Sequence, residues 1–261
     1  MLKKSLGQHF LIRHRVAERI VQALELQAQD SVLEIGPGEG ALTRLLAGRA
    51  ASLLLVEKDR ELAAALRETF RSQAVEVLEA DFLTLAWSEL SARLGPRFKI
   101  VSNLPYNVGT AIFTHLLRHA APETCMVLMF QKEVGERLLA MPGTKAYGSL
   151  SVFTRIWAEG RALGVVPPQA FRPPPKVESL VVKFQTRPQA WISAGEMAAF
   201  EAFLRLGFGQ RRKMLRHNLR ADPQMGKTVE IEAKLEAVGA SPQARAEELS
   251  AEQWVQLFHK K

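Results

Sequence analysis

The 261-residue sequence predicts an α/β domain built on a largely parallel sheet wrapped by helices, followed by a small all-helical C-terminal domain. Three observations carry that prediction. From Ser31 to Phe130, short apolar runs alternate with helical patterns, the order that a parallel sheet covered by helices requires. A glycine-rich turn follows the first of those runs directly. After Pro188 the strand patterns stop and only helical periodicity remains.

Each element can be justified in turn. Phe10 and Leu11 lead into an amphipathic run with Val16, Ile20, Val21 and Leu24 on one face, which reads as a helix. SVLEI, SLLLVE, VEVLEAD, FKIVSN and CMVLMF read as strands, and ALTRLLAGR, RELAAALRETF, LSARL and TAIFTHLLRH as the helices between them. KEVGERLLA and SLSVFTRIW are further helices. GRALGVVP and VESLVVKFQ read as strands joined by the proline-rich PPQAFRPPPK, a link that suits a hairpin closing one edge of the sheet. EMAAFEAFLRLGF, RRKMLRHNL, VEIEAKLEAVG and AEQWVQLFHK complete the chain as helices. The expected domains are therefore residues 1–187 and 188–261, with no internal repeat and no low-complexity segment.

Composition narrows the class. Apolar residues make up 47% of the chain and charged residues 24%, enough for a substantial core. Cys125 lies inside CMVLMF and reads as a buried apolar thiol. No apolar run is long enough to cross a bilayer. The start, MLKKSLGQHFLIRHRV, is basic but has no apolar signal core. It lacks acids before Glu18, as organellar transit peptides do, yet the amphipathic pattern that follows reads as structure, so a cytoplasmic protein is expected. Lys and Arg number 35 against 27 acids, a net charge of +8 that points to a polyanionic partner, usually nucleic acid.

Chemistry gathers at the strand ends. GPGEGALT puts Gly36, Gly38 and Gly40 between the first strand and its helix, where absent side chains let a ligand approach the backbone. The spacing is G-x-G-x-G rather than the G-x-G-x-x-G of dinucleotide sites. Glu57 closes the second strand, where a carboxylate suits ribose hydroxyls. Asp81 closes the third, where it could accept from an adenine amino group. Either acid alone is most often a solvated strand end; on consecutive strand ends beside a glycine turn they favour a nucleoside site. No Walker lysine pattern and no G-x-S-x-G occur, so neither triphosphate hydrolysis nor a serine hydrolase is supported. His115 and His119 share a helix face without a third ligand, and no metal site is expected.

The fourth strand ends in Asn103, Leu104, Pro105 and Tyr106. These residue types also make ordinary turns. Here, though, Pro105 restricts the direction of the Leu104 carbonyl, Asn103 adds a side-chain oxygen, and Tyr106 adds a flat face. Two acceptors beside a stacking ring suit the exocyclic amine of a purine.

With those residues in view, the chain resembles the ribosomal RNA adenine dimethyltransferases over nearly its whole length. KKSLGQHFL, VLEIGPGEGALT, VEKD, EADF, VSNLPY, FRPPPKVES and RRKMLRHNL follow that family's pattern in order. Leu104 is more similar to the small-subunit branch than to the antibiotic-resistance branch. The resemblance implies a Rossmann-like, S-adenosylmethionine-dependent methyltransferase sheet. It implies that His9, Leu11, Gly36, Gly38, Glu57, Asp81 and Asn103 hold the cofactor. The substrate it implies is a pair of adjacent adenosines near the 3′ end of small-subunit (16S) rRNA, each methylated twice, within an immature 30S particle. Asn103 and Leu104 would accept from the target amine, Pro105 would fix the corner, Tyr106 would stack the extruded base and Phe171 would pack on its other side. A monomer is expected, with no membrane partner.

The RNA footprint is read from charge. LRLGFGQRRKMLRHNLR carries Arg205, Arg211, Arg212, Lys213, Arg216 and Arg220 without an acid. Such a run is usually a solvated face, but an interleaved aromatic and the missing acids favour phosphate contact. Lys3, Lys4, Arg13, Arg155, Arg172 and Lys176 would extend the surface. Two competing readings are the same chemistry on a large-subunit adenosine and an RNA-binding assembly or transcription factor without turnover. A pure binder has no need of NLPY, Glu57 and Asp81 together.

Overall fold

The computed structural model describes residues 8–71 and 74–260. These form a seven-stranded mixed sheet built from β2 (Ser31–Ile35), β3 (Ser52–Glu57), β4 (Val75–Glu79), β5 (Lys99–Asn103), β6 (Cys125–Gln131), β7 (Ala158–Val166) and β9 (Ser179–Thr186). Their order is β4-β3-β2-β5-β6-β9-β7. β2 pairs in parallel with both β3 and β5, β5 with β6, and β9 runs antiparallel to β6. The two short strands β1 (Phe10–Leu11) and β8 (Phe171–Arg172) form a separate antiparallel pair.

The strand composition explains the layering. β2, β3 and β6 are buried almost throughout, as parallel strands covered on both faces must be. Helices α1 (His14–Ala23), α3 (Arg60–Phe70), α4 (Trp87–Leu94) and α5 (Gly109–His119) supply the cover. α1 turns Val16, Ala17, Ile20 and Val21 inward. Asp59 starts α3 by accepting from the backbone N–H groups of Glu61 and Leu62 at 2.9 and 3.4 Å. Cys125 is buried, as its apolar setting implies.

Two helical patterns form only in part. α2 (Thr43–Leu46) is a single turn, because Gly40 and Gly48 on either side take positive φ and Ala47 leaves helical geometry at ψ 128°. In RRKMLRHNL only Leu215–Leu219 is helical (α9), and the basic triplet before it lies in a turn. The β1–β8 pair was not legible in the sequence, since two residues carry no periodicity.

Packing divides the chain differently from one cut near residue 187. One compact unit runs to Gly135 and resumes over Gly160–Thr186; the other comprises Glu136–Glu159 and Arg187–Lys261. The helix α7 (Ser149–Trp157) buries Val152, Phe153 and Ile156 and packs with α8 (Met197–Gly207) and α11 (Ala251–Phe258). An amphipathic stripe does not state which core it will join. Within this helical unit Trp254 is fully buried, stacked on Phe208 at 5.1 Å, and Tyr147 donates its hydroxyl proton to the Leu249 carbonyl at 2.9 Å.

In the sheet unit the strand order reverses between β2 and β5, opening a crevice at their carboxyl ends. Ligands of doubly wound sheets bind at such a reversal. The glycine turn and NLPY stand on its two sides.

Candidate functional site

A solvent-open cleft lies at this edge, the place where a concave ligand site is expected. His9, Leu11, Gly36, Gly38, Glu57, Asp81, Asn103, Leu104, Pro105 and Tyr106 all line it. Residues from β1 to the NLPY corner are thus brought together at one edge.

The glycine turn divides its labour. Gly36 and Gly38 take φ of +63° and +58°, a region costly for other residues. A side chain at Gly38 would press on the Phe10 ring, 2.8 Å from an added Cβ. Gly40 is not part of the cleft wall; a Cβ added there would lie 3.2 and 3.3 Å from Leu66 and Phe70 of α3. Gly36 and Gly38 line the cleft, whereas Gly40 packs against α3.

Three acids meet here in different states. Glu57 is 5% exposed, with Oε2 accepting from Gly38 N at 3.1 Å and Oε1 from Asp59 N at 2.8 Å. Burial raises its pKa, against the pull of those donors. The carboxylate keeps acceptor capacity beyond these donors. Asp81 accepts from Lys58 Nζ at 2.8 Å and Leu83 N at 3.1 Å, and the Lys58 hydrogen bond holds its pKa low. Glu34, which sequence reasoning did not single out, is 1% exposed and accepts from Thr43 Oγ1 at 2.8 Å. Burial, reinforced by neighbouring Glu57, pushes its pKa up to about 8. The signal was available: an acid inside SVLEI, immediately before the glycines, has no solvent to face.

The NLPY corner is tied down at each residue. Asn103 Nδ2 donates to the His9 carbonyl at 3.0 Å. That carbonyl can only accept, so the amide nitrogen must face it and Oδ1 remains available as an acceptor. Leu104 is buried and donates its N–H to the Met129 carbonyl at 3.2 Å. Pro105 Cδ lies 3.9 Å from where Gly36 would carry a Cβ, closing the corner on the glycine turn. The Tyr106 hydroxyl is 2.5 Å from Ser179 Oγ, and its ring lies 5.3 Å from that of His9. Burial raises the Tyr106 pKa, so the phenol stays neutral. His9 Nδ1 in turn donates to the Pro173 carbonyl at 2.7 Å.

Phe171 does not join them. It is 2% exposed, packed in the hydrophobic core with Leu11, Val166 and Ala170, and absent from the cleft wall. Its place in the β1–β8 pair turns it inward, so the second stacking ring expected from AFRPPPK is corrected to a core residue.

The basic run is likewise thinner than its sequence. Arg211 donates to the carbonyls of Lys145 and Tyr147 at 3.0 and 3.1 Å, and Arg216 pairs with Glu232. Arg212, Lys213 and Arg220 are exposed. Arg172 pairs with Glu39 at 3.1 Å, and Arg155 donates to Met141 Sδ at 2.9 Å. Lys3 and Lys4 lie outside the described residues. His115 and His119 sit 4.4 Å apart, with His119 stacked on Trp87 at 5.6 Å.

Sheet order and cleft together define a Rossmann-like methyltransferase. The family model for ribosomal RNA adenine dimethylase matches residues 1–261. The chain belongs to that family. It is 42% identical to a ribosomal RNA small subunit methyltransferase A of Xanthomonas euvesicatoria, covering 98% of this chain and 94% of the relative. Identity is 43% to the protein of the same name in Magnetococcus marinus, over 97% and 90%. The crystal structure of the 23S rRNA methyltransferase ErmE superposes with a TM-score of 0.72 at 30% identity, covering 96% of this chain and 98% of that one. A dimethyladenosine transferase from Plasmodium falciparum shares the fold, with a TM-score of 0.80 at 24% identity over 95% and 96%.

Glu34 makes a stability prediction. Between its ordinary value of 4.5 and about 8 the folded protein holds a proton here that the unfolded chain has released. Stability contributed by this group therefore falls as pH rises through that window. Glu34→Gln, which keeps an acceptor for Thr43, should flatten that fall and leave the variant more stable than wild type above pH 8. Urea unfolding across the pH range checks it. Parallel stability curves would mean Glu34 titrates as an ordinary surface acid.

Proposed function

We propose that this protein transfers methyl groups from S-adenosylmethionine to the exocyclic amines of two adjacent adenosines near the 3′ end of small-subunit rRNA. It would dimethylate each during ribosome assembly, as a cytoplasmic monomer acting on an immature 30S particle. The observation that carries this reading is the orientation of Asn103. With Nδ2 committed to His9, the amide presents an oxygen rather than a second donor to the cleft. An oxygen there accepts from an amine; a nitrogen would repel it.

The cleft fits the cofactor's nucleoside. Gly36 and Gly38 offer backbone without side chains, and the Glu57 carboxylate keeps acceptor capacity that suits ribose hydroxyls. Asp81, kept ionised beside Lys58, suits an adenine amine. When bound, the cofactor supplies an electrophilic methyl group on sulfur. The residues of the chain do the rest. Adenine nitrogen is a poor nucleophile because its lone pair is delocalised into the ring. Asn103 Oδ1 and the Leu104 carbonyl would accept its N–H groups more strongly as positive charge develops, lowering the barrier selectively. Tyr106 would stack the extruded base and hold the amine in line. The alkylated amine is acidic enough to lose its proton to water, so no base is required.

Small-subunit rRNA is favoured because the relatives at 42–43% identity carry that name, against 30% for ErmE. The net charge of +8 supports an RNA partner, as do exposed Arg212, Lys213 and Arg220 in the helical unit. The direct experiment is incubation with labelled S-adenosylmethionine and immature small subunits, then mapping of the modified bases. Label confined to large-subunit rRNA would overturn the substrate, and no label at all would overturn the activity.

Three variants separate the parts of the proposal. Asn103→Ala removes one acceptor and should slow single-turnover methylation by about a hundred- to a thousandfold, with rRNA affinity kept. A near-normal rate would reduce Asn103 to a turn residue. Glu57→Ala should weaken cofactor binding by roughly 1–3 kcal/mol, the cost of unpaired buried polar groups; unchanged calorimetric affinity would remove Glu57 from the ribose site. Replacing Arg212, Lys213 and Arg220 with Glu should weaken rRNA binding and reduce its salt dependence while leaving cofactor affinity intact. Unaltered binding across a salt titration would make this face merely solvated.

A further inference from the structure

We propose that Ser179 is a positioning residue for methyl transfer: its hydroxyl holds the Tyr106 ring in the attitude in which the target base stacks. The inference rests on the reading of the cleft above and adds a residue that touches none of the reacting atoms.

Ser179 is fully buried and stands 73 residues along the chain from Tyr106, yet the two hydroxyl oxygens are 2.5 Å apart. Topology makes the meeting possible. Ser179 opens β9 and pairs with Gln131, the last residue of β6. Because β9 runs antiparallel to β6, its first residue lies at the edge where the parallel strands finish. A parallel strand in that place would have brought its last residue to the cleft instead. The residue just before is pinned as well: Glu178 takes the Lys132 backbone N–H at 2.9 Å and pairs with its ammonium at 2.7 Å. Ser179 is therefore a fixed post.

A tyrosine ring has two rotatable side-chain torsions, and most tyrosines leave the hydroxyl to water. Here a buried hydroxyl needs a protein partner, and Tyr106 supplies it. The ring is then held at three places. Its tip bonds to Ser179, its flank meets the His9 ring at 33°, and its backbone follows the rigid Pro105. Stacking a flat, neutral base asks for a fixed plane rather than for hydroxyl chemistry. Loosening the tip would spread the approach of the amine more than it would weaken the hold on RNA, so the effect belongs to the rate.

The test is a double-mutant cycle of Ser179→Ala, Tyr106→Phe and the pair. It is read by single-turnover methylation of immature small subunits at saturating cofactor, with rRNA affinity and thermal unfolding measured alongside. Each single variant should lose about two- to tenfold in rate, the equivalent of one neutral hydrogen bond, with rRNA affinity unchanged. The double variant should be no slower than the slower single one, because both remove the same bond. A wild-type rate for folded Ser179→Ala, or losses that multiply in the double variant, would overturn the proposal. Should Ser179→Ala fail to fold, Tyr106→Phe decides alone, and a wild-type rate there overturns it equally. A wild-type protein that leaves the adenosines unmodified would overturn the underlying reading of the cleft, a result the same assay separates from these.

Discussion

A carbonyl oxygen can accept a hydrogen bond but never donate one, and the site depends on that asymmetry at His9. The bond from Asn103 Nδ2 to the His9 carbonyl sets which atom of the amide faces the cleft. The same residue reaches the Pro173 carbonyl through its ring and lies against Tyr106. Next to it, Phe10 covers Gly38, and Ile12 and Arg13 both donate backbone N–H groups to the Ala170 carbonyl. A short stretch near the start of the chain therefore braces the glycine turn, the NLPY corner and the loop that leads into β9. Preorganisation of this kind places polar groups before the charge they serve appears, so no reorganisation is required at the moment of reaction.

The three cleft acids show how one edge of a sheet can assign different states to similar carboxyl groups. Glu34 is fully enclosed and retains its proton toward neutral pH. Glu57 is raised by burial yet is held by backbone donors, a setting that suits binding neutral hydroxyls. Asp81, less enclosed and bonded to Lys58, stays ionised. Desolvation and neighbouring charge pull in opposite directions, and position along the strand decides which prevails. Glu34 lies one residue inside its strand end, whereas Glu57 closes its strand and Asp81 follows the end of β4.

Much of this was legible in the sequence because it is written in local terms. Alternating apolar runs announced the sheet, and glycines and acids at successive strand ends announced the cleft. What was hidden depends on distant residues meeting. Phe171 reads as a free loop aromatic until its backbone pairs with Leu11 and turns the ring into the core. Ser179 ends the FRPPPKVES motif with no role of its own until an antiparallel neighbour carries it to Tyr106. The stripe on α7 fits either of two cores, and only packing shows that it joins α8 and α11.

Charge obeys the same rule. Arg211 and Arg216 belong to one basic run in the sequence, but carbonyls of Lys145 and Tyr147 occupy the first and Glu232 the second. An arginine already bonded within its own chain must break those contacts before it can serve a phosphate, and the net gain shrinks accordingly. Its neighbours Arg212 and Lys213 are exposed in the turn before α9. The useful measure of a ligand-facing group is thus the hydrogen-bonding capacity left after folding. By that measure Glu57 keeps some acceptor capacity and Asn103 keeps an oxygen, while Ser179 has given its hydroxyl to a neighbour. The first two are suited to hold a ligand, and the third to hold the residue that does.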